Sequence, residues 1–272
     1  FLKEPKISII TVSYNAAPTI EQTILSVIQQ DYPHIEYIVI DGGSTDGTVD
    51  IIRKYEDKIA YWVSEPDQGI YAAMNKGIRR ATGDYVYFLG ADDWLRDDQV
   101  MQEVSEFIRL HPKYDFYVGN IFLYQAVLGL IKRQRVELSV EALKGGVMWP
   151  HQGLFARRAL MTSGFDIRYR VAADYEFLLR HVAAGASFCA MDIDVAYYAL
   201  FGASDSEAMY DEYSAIIKAY AGEAYVSRIN KLKEIAKKRQ SLRKIIKTMV
   251  MAILGKKMFF RLRGWKEVRP VN

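Results

Sequence analysis

The chain has 272 residues, half of them apolar and a quarter charged, a balance ordinary for a globular protein and far from that of a disordered one. Its single cysteine, Cys189, excludes a disulfide framework and a cysteine-ligated metal cluster, and thiol scarcity fits a reducing compartment. The net charge of +3 hides an asymmetry: residues 228–272 hold 15 Lys/Arg against Glu234 and Glu267, while the other 227 residues carry 21 basic and 31 acidic side chains. Such an acidic body binds a diphosphate only with a metal or local donors, and the basic tail attracts an acidic surface. No signal-peptide series opens the chain, and Phe1 in place of Met is expected of a trimmed start. No apolar run reaches the roughly 18 residues of a membrane-spanning helix.

In chain order, Ile7 to Val12 is a short β-branched run and reads as a buried strand. Pro18 to Gln30 follows at helical spacing, with Pro18 suited to a first turn. Tyr37 to Ile40 is a second strand ending in Asp41, Val49 to Tyr55 a helix, and Ile59 to Val63 a third strand. Ile70 to Arg80 is a helix stopped near Gly83, and Tyr85 to Leu89 a fourth strand ending at Asp92 and Asp93. Asp97 to Leu110 is a helix and Phe116 to Gly119 a strand. Beyond it, Ile121 to Leu138 suggests a hairpin with Gly129 near its turn, and Val140 to Leu143 one helical turn. Arg157 to Ser163 and Asp174 to Ala184 read as helices, the second stopped by Gly185, with a strand over Ser187 to Ala190. From Ser206 the pattern is helical to the end, broken near Gly222, Gly255 and Gly264.

Strand, loop and helix repeating with short connections imply an α/β fold, a Rossmann-like, mostly parallel sheet flanked by helices. Ligands of such sheets bind beyond the carboxyl ends of the strands. The informative polar residues lie there. After the first strand come Tyr14, which could stack on a base, and Asn15, which could bond a ligand or only its own turn. Asp41 precedes Gly42 and Gly43, which let backbone approach a ligand or merely make a turn, while Thr45 or Asp46 could cap the next helix. Paired Asp92 and Asp93 at a buried strand exit repel each other and want a hard cation, Mg2+ or Mn2+; the plainer reading is that they open the next helix. Asp174 is a helix cap or a catalytic base. His151, between Pro150 and Gln152, is a lone histidine, structural or functional. No G-x-G-x-x-G follows a strand, which argues against a nicotinamide enzyme.

Taken in order, these segments resemble the family 2 glycosyltransferases, inverting enzymes of the A-type fold, and in particular the bacterial branch that builds exopolysaccharide and O-antigen units. The resemblance rests on ISIITVSYN from Ile7, Asp41-Gly-Gly-Ser-Thr-Asp-Gly-Thr48, Asp67-Gln-Gly-Ile-Tyr71, Ala73-Met-Asn-Lys-Gly-Ile78, Gly83-Asp-Tyr-Val-Tyr-Phe-Leu-Gly-Ala-Asp-Asp93 and Asp174-Tyr-Glu-Phe177. It implies that Tyr14 and Asn15 line a base pocket and that Asp41 holds the base edge. Asp67 and Asn75 would lie along the donor, with Lys76 on a phosphate. Asp92 would be the principal metal ligand, and Asp93 would serve ribose and metal. Asp174 would be the general base, and His151 would stand near the diphosphate or acceptor, where it could also be a further metal ligand. Gly90 and Ala173 depart from the family, which often has an acidic residue or Asn at the first position and Glu at the second. The implied donor is a nucleoside diphosphate sugar, uridine first, and the implied acceptor a glycan or lipid-linked sugar.

The expected organisation is a catalytic domain over residues 1–205 and a basic amphipathic helical extension over 206–272. The mixture of Lys/Arg with Phe259, Phe260 and Trp265 reads as an anchor on an anionic membrane surface, which places the chain on the cytoplasmic face of the cell membrane. The same tail could instead pack its apolar side on the body; a nucleic-acid partner is not expected. Two rival functions stand beside the transferase, a nucleotidyltransferase and a non-catalytic membrane-docking protein with a degenerate transferase domain.

Overall fold

The computed structural model describes residues 3–125, 129–200, 207–227, 229–230 and 266–267. Its first half alternates β1 (Ile7–Ser13), α1 (Ile20–Ile28), β2 (Ile35–Asp41), α2 (Thr48–Lys54), β3 (Tyr61–Ser64), α3 (Ile70–Arg80) and β4 (Tyr85–Phe88). β1 pairs in parallel with β2 on one side and β4 on the other, and β2 with β3. The strand order 3-2-1-4 brings the carboxyl ends of β1, β2 and β4 together on one edge of the sheet. The chain continues through β5 (Trp94–Leu95), α4 (Val100–Leu110), β6 (Phe116–Gln125), β7 (Leu130–Gln134), α5 (Val140–Lys144), β8 (Leu154–Arg157), α6 (Arg158–Met161), α7 (Ala173–Ala183), β9 (Phe188–Ala199), α8 (Glu207–Tyr220) and β10 (Lys266–Glu267). Here the sheet turns mixed. β8 lies antiparallel between β4 and the first half of β6, β7 takes over beside the second half, and β9 runs parallel along the opposite edge of β6.

Two apolar cores follow from the two-residue period of the strands. Ile7 and Ile9 of β1 join α1, α2 and α4 on one face, and Ile10 joins α3, α7 and α8 on the other. α3 lies so close to β1 that a Cβ at Gly77 would come within 2.5 Å of the Ile10 side chain. α7 stops where expected, with Gly185 at φ 92° and the Ala186 amide turned back onto the His181 carbonyl at 3.0 Å.

Several expectations change in detail. α4 begins at Val100 rather than Asp97, because Asp97 accepts from the Gln99 amide in a turn ahead of the helix. Pro18 lies in the turn before α1 rather than in its first turn. The hairpin forms between β6 and β7 with Gly129 at φ 59°, but its first strand is continuous from Phe116. The strand at Ser187 to Ala190 extends to Ala199. The C-terminal region is not helical throughout, since Lys266 and Glu267 pair with β7. Other parts of the expected extension, with breaks at Gly255 and Gly264, lie outside the described residues. The start of that extension packs into the body: Ile216, Ile217, Val226 and Ile229 are buried in the core that holds α7.

Candidate active site

The residues singled out at the strand exits gather into three neighbouring groups. In the first, Asp41 ends β2 fully buried. Its Oδ1 accepts from Ser13 Oγ at 2.9 Å and Ser44 Oγ at 2.5 Å, and its Oδ2 from Ser64 Oγ at 2.6 Å and the amides of Gly43 and Ser44 at 3.1 and 2.8 Å. Burial alone would raise this carboxyl, yet the donors outweigh it and hold it below the ordinary range. Five internal donors thus tie the ends of β1, β2 and β3 through one side chain. Asn15, at φ 49°, accepts from the Thr45 amide at 3.0 Å and fastens the same loop. Tyr14 is left exposed, its ring beside Gly42. A Cβ on Gly42 would stand 3.4 Å from both the Tyr14 ring and Asp67 Oδ2, so these three line one surface. Asp67 is nearly buried and ion-paired to Lys76, which also reaches Glu65 at 2.8 Å. Both carboxylates raise the basicity of Lys76.

The second group is the Asp92–Asp93 pair. Asp93 is 1% exposed, and its Oδ1 accepts from the Ala199 amide at 2.8 Å. Thr23 of α1 donates to the Asp93 carbonyl at 2.7 Å and anchors the turn. Burial, with the Asp92 charge beside it, pushes the Asp93 carboxyl up to about 7. Asp92 stands exposed at the rim, and desolvation by the surrounding protein raises its carboxyl too. A Cβ at Gly90 would lie 2.7 Å from Asp93 Oδ2 and 3.1 Å from Asp92 Oδ1. The absent side chain at Gly90 is therefore what admits the Asp93 carboxylate between strand and turn. Among the described residues no three His, Cys, Asp or Glu side chains are grouped to enclose a metal. Two oxygen-donor carboxylates, one raised by burial and then by its neighbour's charge, suit a divalent ion, whose remaining ligands would have to come from phosphate and water.

The third group surrounds Asp174, the second residue of α7. It is not the helix cap, since Ala172 holds that position and offers no side-chain bond. Oδ1 accepts from Tyr71 Oη and from the Tyr175 amide, each at 2.9 Å. Oδ2 faces His151 Nδ1 at 4.0 Å. His151 lies in a short 3-10 turn over His151–Gly153, with its ring stacked on Phe88 at 5.6 Å. Both its nitrogens are shielded and without a hydrogen-bond partner, and burial lowers its basicity although Asp174 opposes this. Asn75 serves this group rather than the first. Its amide donates to the Phe165 carbonyl and accepts from the Phe165 amide, both at 2.8 Å, and Phe165 packs on Tyr71 and Phe88.

The sequence reading missed several contributors. Tyr71 was present in a quoted motif, but its bond to Asp174 spans 103 positions. Gln152, whose side chain lies close enough to Asp93 to favour its ionised form, stood next to the histidine without a signal of its own. Tyr213 of α8 stacks on Tyr175 at 4.2 Å, from a segment read as an appendage.

Known proteins share this fold and sequence pattern. The family model described as glycosyl transferase family 2 matches residues 8–168. A PGL/p-HBAD biosynthesis glycosyltransferase of Mycobacterium bovis is 33% identical over 204 residues, covering 73% of this chain and 78% of the relative. Among solved structures, Staphylococcus aureus TarS 1-349 in complex with UDP superposes with a TM-score of 0.62 at 22% identity, over 79% of this chain and 65% of that one. The mannosyltransferase PcManGT of Pyrobaculum calidifontis, in complex with GDP-Man and Mn2+, superposes at 0.59 with 16% identity, over 95% of this chain and 85% of that one. This chain thus spans a little under two thirds of the TarS fragment, and at these identities the superpositions speak for the fold alone. The A-type sheet, the acidic pair at the exit of β4 and a match over more than half the sequence agree: the chain is a glycosyltransferase and belongs to glycosyl transferase family 2.

Proposed function

We propose that this glycosyltransferase moves a sugar from a uridine diphosphate donor to a hydroxyl of a cell-surface glycan or lipid-linked sugar, inverting the anomeric carbon, with Asp174 as general base. The observation that carries this reading is the posture of Asp174. One oxygen is fixed by Tyr71 and a helix amide, and the other is left for an acceptor proton beside His151. A held carboxylate with one free oxygen at the carboxyl edge of the sheet is what a single displacement requires of its base. Tyr14, Gly42 and Asp67 form the wall against which a base and ribose would lie. Asp41 and Asn15 hold that wall, and Lys76 could turn to a phosphate only by leaving Glu65 or Asp67. His151, with two unpartnered nitrogens, offers a donor toward the diphosphate or acceptor.

Asp92 and Asp93 would hold Mn2+ or Mg2+, which supplies positive charge for the diphosphate as it leaves. The chain's own residues do the rest: Asp174 takes the hydroxyl proton, and Tyr71 keeps that carboxylate aimed. The UDP complex of TarS and the GDP-Man and Mn2+ complex of PcManGT support a nucleotide-sugar donor with a divalent ion. The mycobacterial relative's place in PGL/p-HBAD biosynthesis supports an acceptor at the cell surface. A panel of UDP-, GDP- and dTDP-sugars, each with Mn2+, tests the donor by thermal stabilisation. UDP-sugars should raise the melting temperature most, and a preference for GDP-sugars would overturn the assignment of the base.

Peripheral attachment to a membrane belongs to the same reading. No helix among the described residues is long and apolar enough to cross a membrane. The basic, aromatic residues 231–265 are suited to an anionic surface by sequence. The full chain is expected to sediment with vesicles containing about a third phosphatidylserine and to be released by salt near 1 M, where screening shortens to about 3 Å. Equal binding to neutral vesicles would remove the electrostatic anchor.

A further inference from the structure

We infer that Glu212 of α8 is a positioning residue that sets Asp174 by clamping the backbone that enters α7. The inference rests on the assignment of Asp174 as base. α7 begins without a capping side chain, because Ala172 occupies the cap and makes no side-chain bond. An uncapped start is a loose start. Here the missing restraint comes from another helix. Glu212 Oε1 accepts from the Arg170 amide at 2.8 Å and Oε2 from the Val171 amide at 3.0 Å. Both carboxylate oxygens are thus spent on the two residues before the cap, four and three positions ahead of Asp174. Charge-assisted bonds of this kind are short and directional, so they fix the angle at which the chain enters the helix.

The neighbours of Glu212 repeat the pattern along one face of α8. Tyr213 stacks on Tyr175, the residue after Asp174, with ring planes 17° apart. Ile216 and Ile217 are fully buried behind it. Tyr220 donates to Glu176 Oε1 at 2.7 Å, and that oxygen also accepts from Arg180 Nε at 2.8 Å. α8 therefore grips α7 at the entry backbone, at Tyr175 and at Glu176, on either side of Asp174 in sequence. Packing alone would need only the isoleucines. The polar contacts converge on the turn that carries the proposed base.

The test uses the full chain with UDP-glucose, UDP-galactose and UDP-N-acetylglucosamine as donors, reading UDP release, and with UDP plus Mn2+ for binding. In Glu212→Gln one acceptor oxygen becomes a carboxamide NH2, a donor facing a backbone N–H, so one clamp bond is lost with almost no change of volume. Turnover should fall about tenfold, with KM for the donor and affinity for UDP plus Mn2+ within about twofold, because only the geometry of the proton transfer is disturbed. Glu212→Asp keeps two acceptor oxygens on a shorter arm and should lie between. In an Asp174→Asn background Glu212→Gln should cost nothing further, since both act through one carboxylate. Wild-type turnover by Glu212→Gln beside an impaired Asp174→Asn overturns the positioning role. So does a full additional loss in the double variant, or a collapse of UDP binding in both Glu212 variants. Wild-type turnover by Asp174→Asn itself sinks the base assignment instead.

Discussion

Asp174→Asn is expected to lower turnover by about 10²-fold or more while leaving nucleotide binding within about twofold of the parent. The amide is nearly isosteric, and its oxygen can still accept from Tyr71 Oη and the Tyr175 amide, so the helix start keeps both of its bonds. What disappears is the basicity of the second oxygen, the one turned toward His151. A neutral amide takes up no proton in the range where the enzyme works, so the acceptor oxygen must lose its proton to water. Steady-state turnover alongside calorimetric binding of UDP separates the two effects. A parallel loss of binding and turnover would mean that the side chain holds the site together rather than serving the reaction.

Removing the divalent ion is expected to cost more, about 10³-fold, because a metal at a leaving diphosphate contributes several kcal/mol. Excess EDTA should bring wild-type activity to that level and Mn2+ should restore it, while Asp92→Ala should stay low at any Mn2+ concentration short of millimolar. The electrostatics add a pH signature. Burial and the Asp92 charge hold the Asp93 carboxyl up at about 7 without metal, so it is protonated below that pH and ionised above it. A cation competes with that proton. Apparent Mn2+ affinity should therefore be roughly tenfold weaker at about pH 6 than at about pH 8, and it should level off on the alkaline side. Gly90→Ala belongs to the same test, because its Cβ would intrude on Asp93 Oδ2. It should weaken Mn2+ binding by displacing the Asp93 carboxylate, with both acidic residues still present. Full activity in excess chelator would remove the ion from the reaction.

How far the sequence reached depended on how local each cause was. α3 is bounded by Ile70 and Arg80 as its pattern foretells, because Tyr71, Met74 and Ile78 recur at helical spacing ahead of Arg79 and Arg80. β9 was read only over its first residues, although Met191, Asp192, Ile193, Asp194 and Val195 alternate as a strand should. The two aspartates fit that period but are poor strand formers, and both are held at the strand by Arg133. β5 is two residues whose partner strand, β9, lies about a hundred positions later, so no local pattern could announce it.

The site divides in the same way. Asp92, Asp93 and Asp174 stood at element boundaries in recognisable motifs, and they lie at the carboxyl edge of the sheet. Asn75 sat in an equally recognisable motif, but both ends of its amide hold the Phe165 backbone. Asp41, expected at the base edge, already carries five donors, so a base N–H would have to displace a serine. Glu212 carried no signal at all, because its meaning lies in two amides 41 and 42 residues earlier.

The role of Asp92 and Asp93 depends on where a cation sits when nucleotide is bound. The decisive measurement is anomalous scattering from manganese in crystals grown with UDP. A single peak within about 2.5 Å of an Asp92 or Asp93 oxygen, bridged to both phosphates beside Tyr14 and Asp67, is the predicted result. Manganese or UDP found away from the exit of β4 would contradict it.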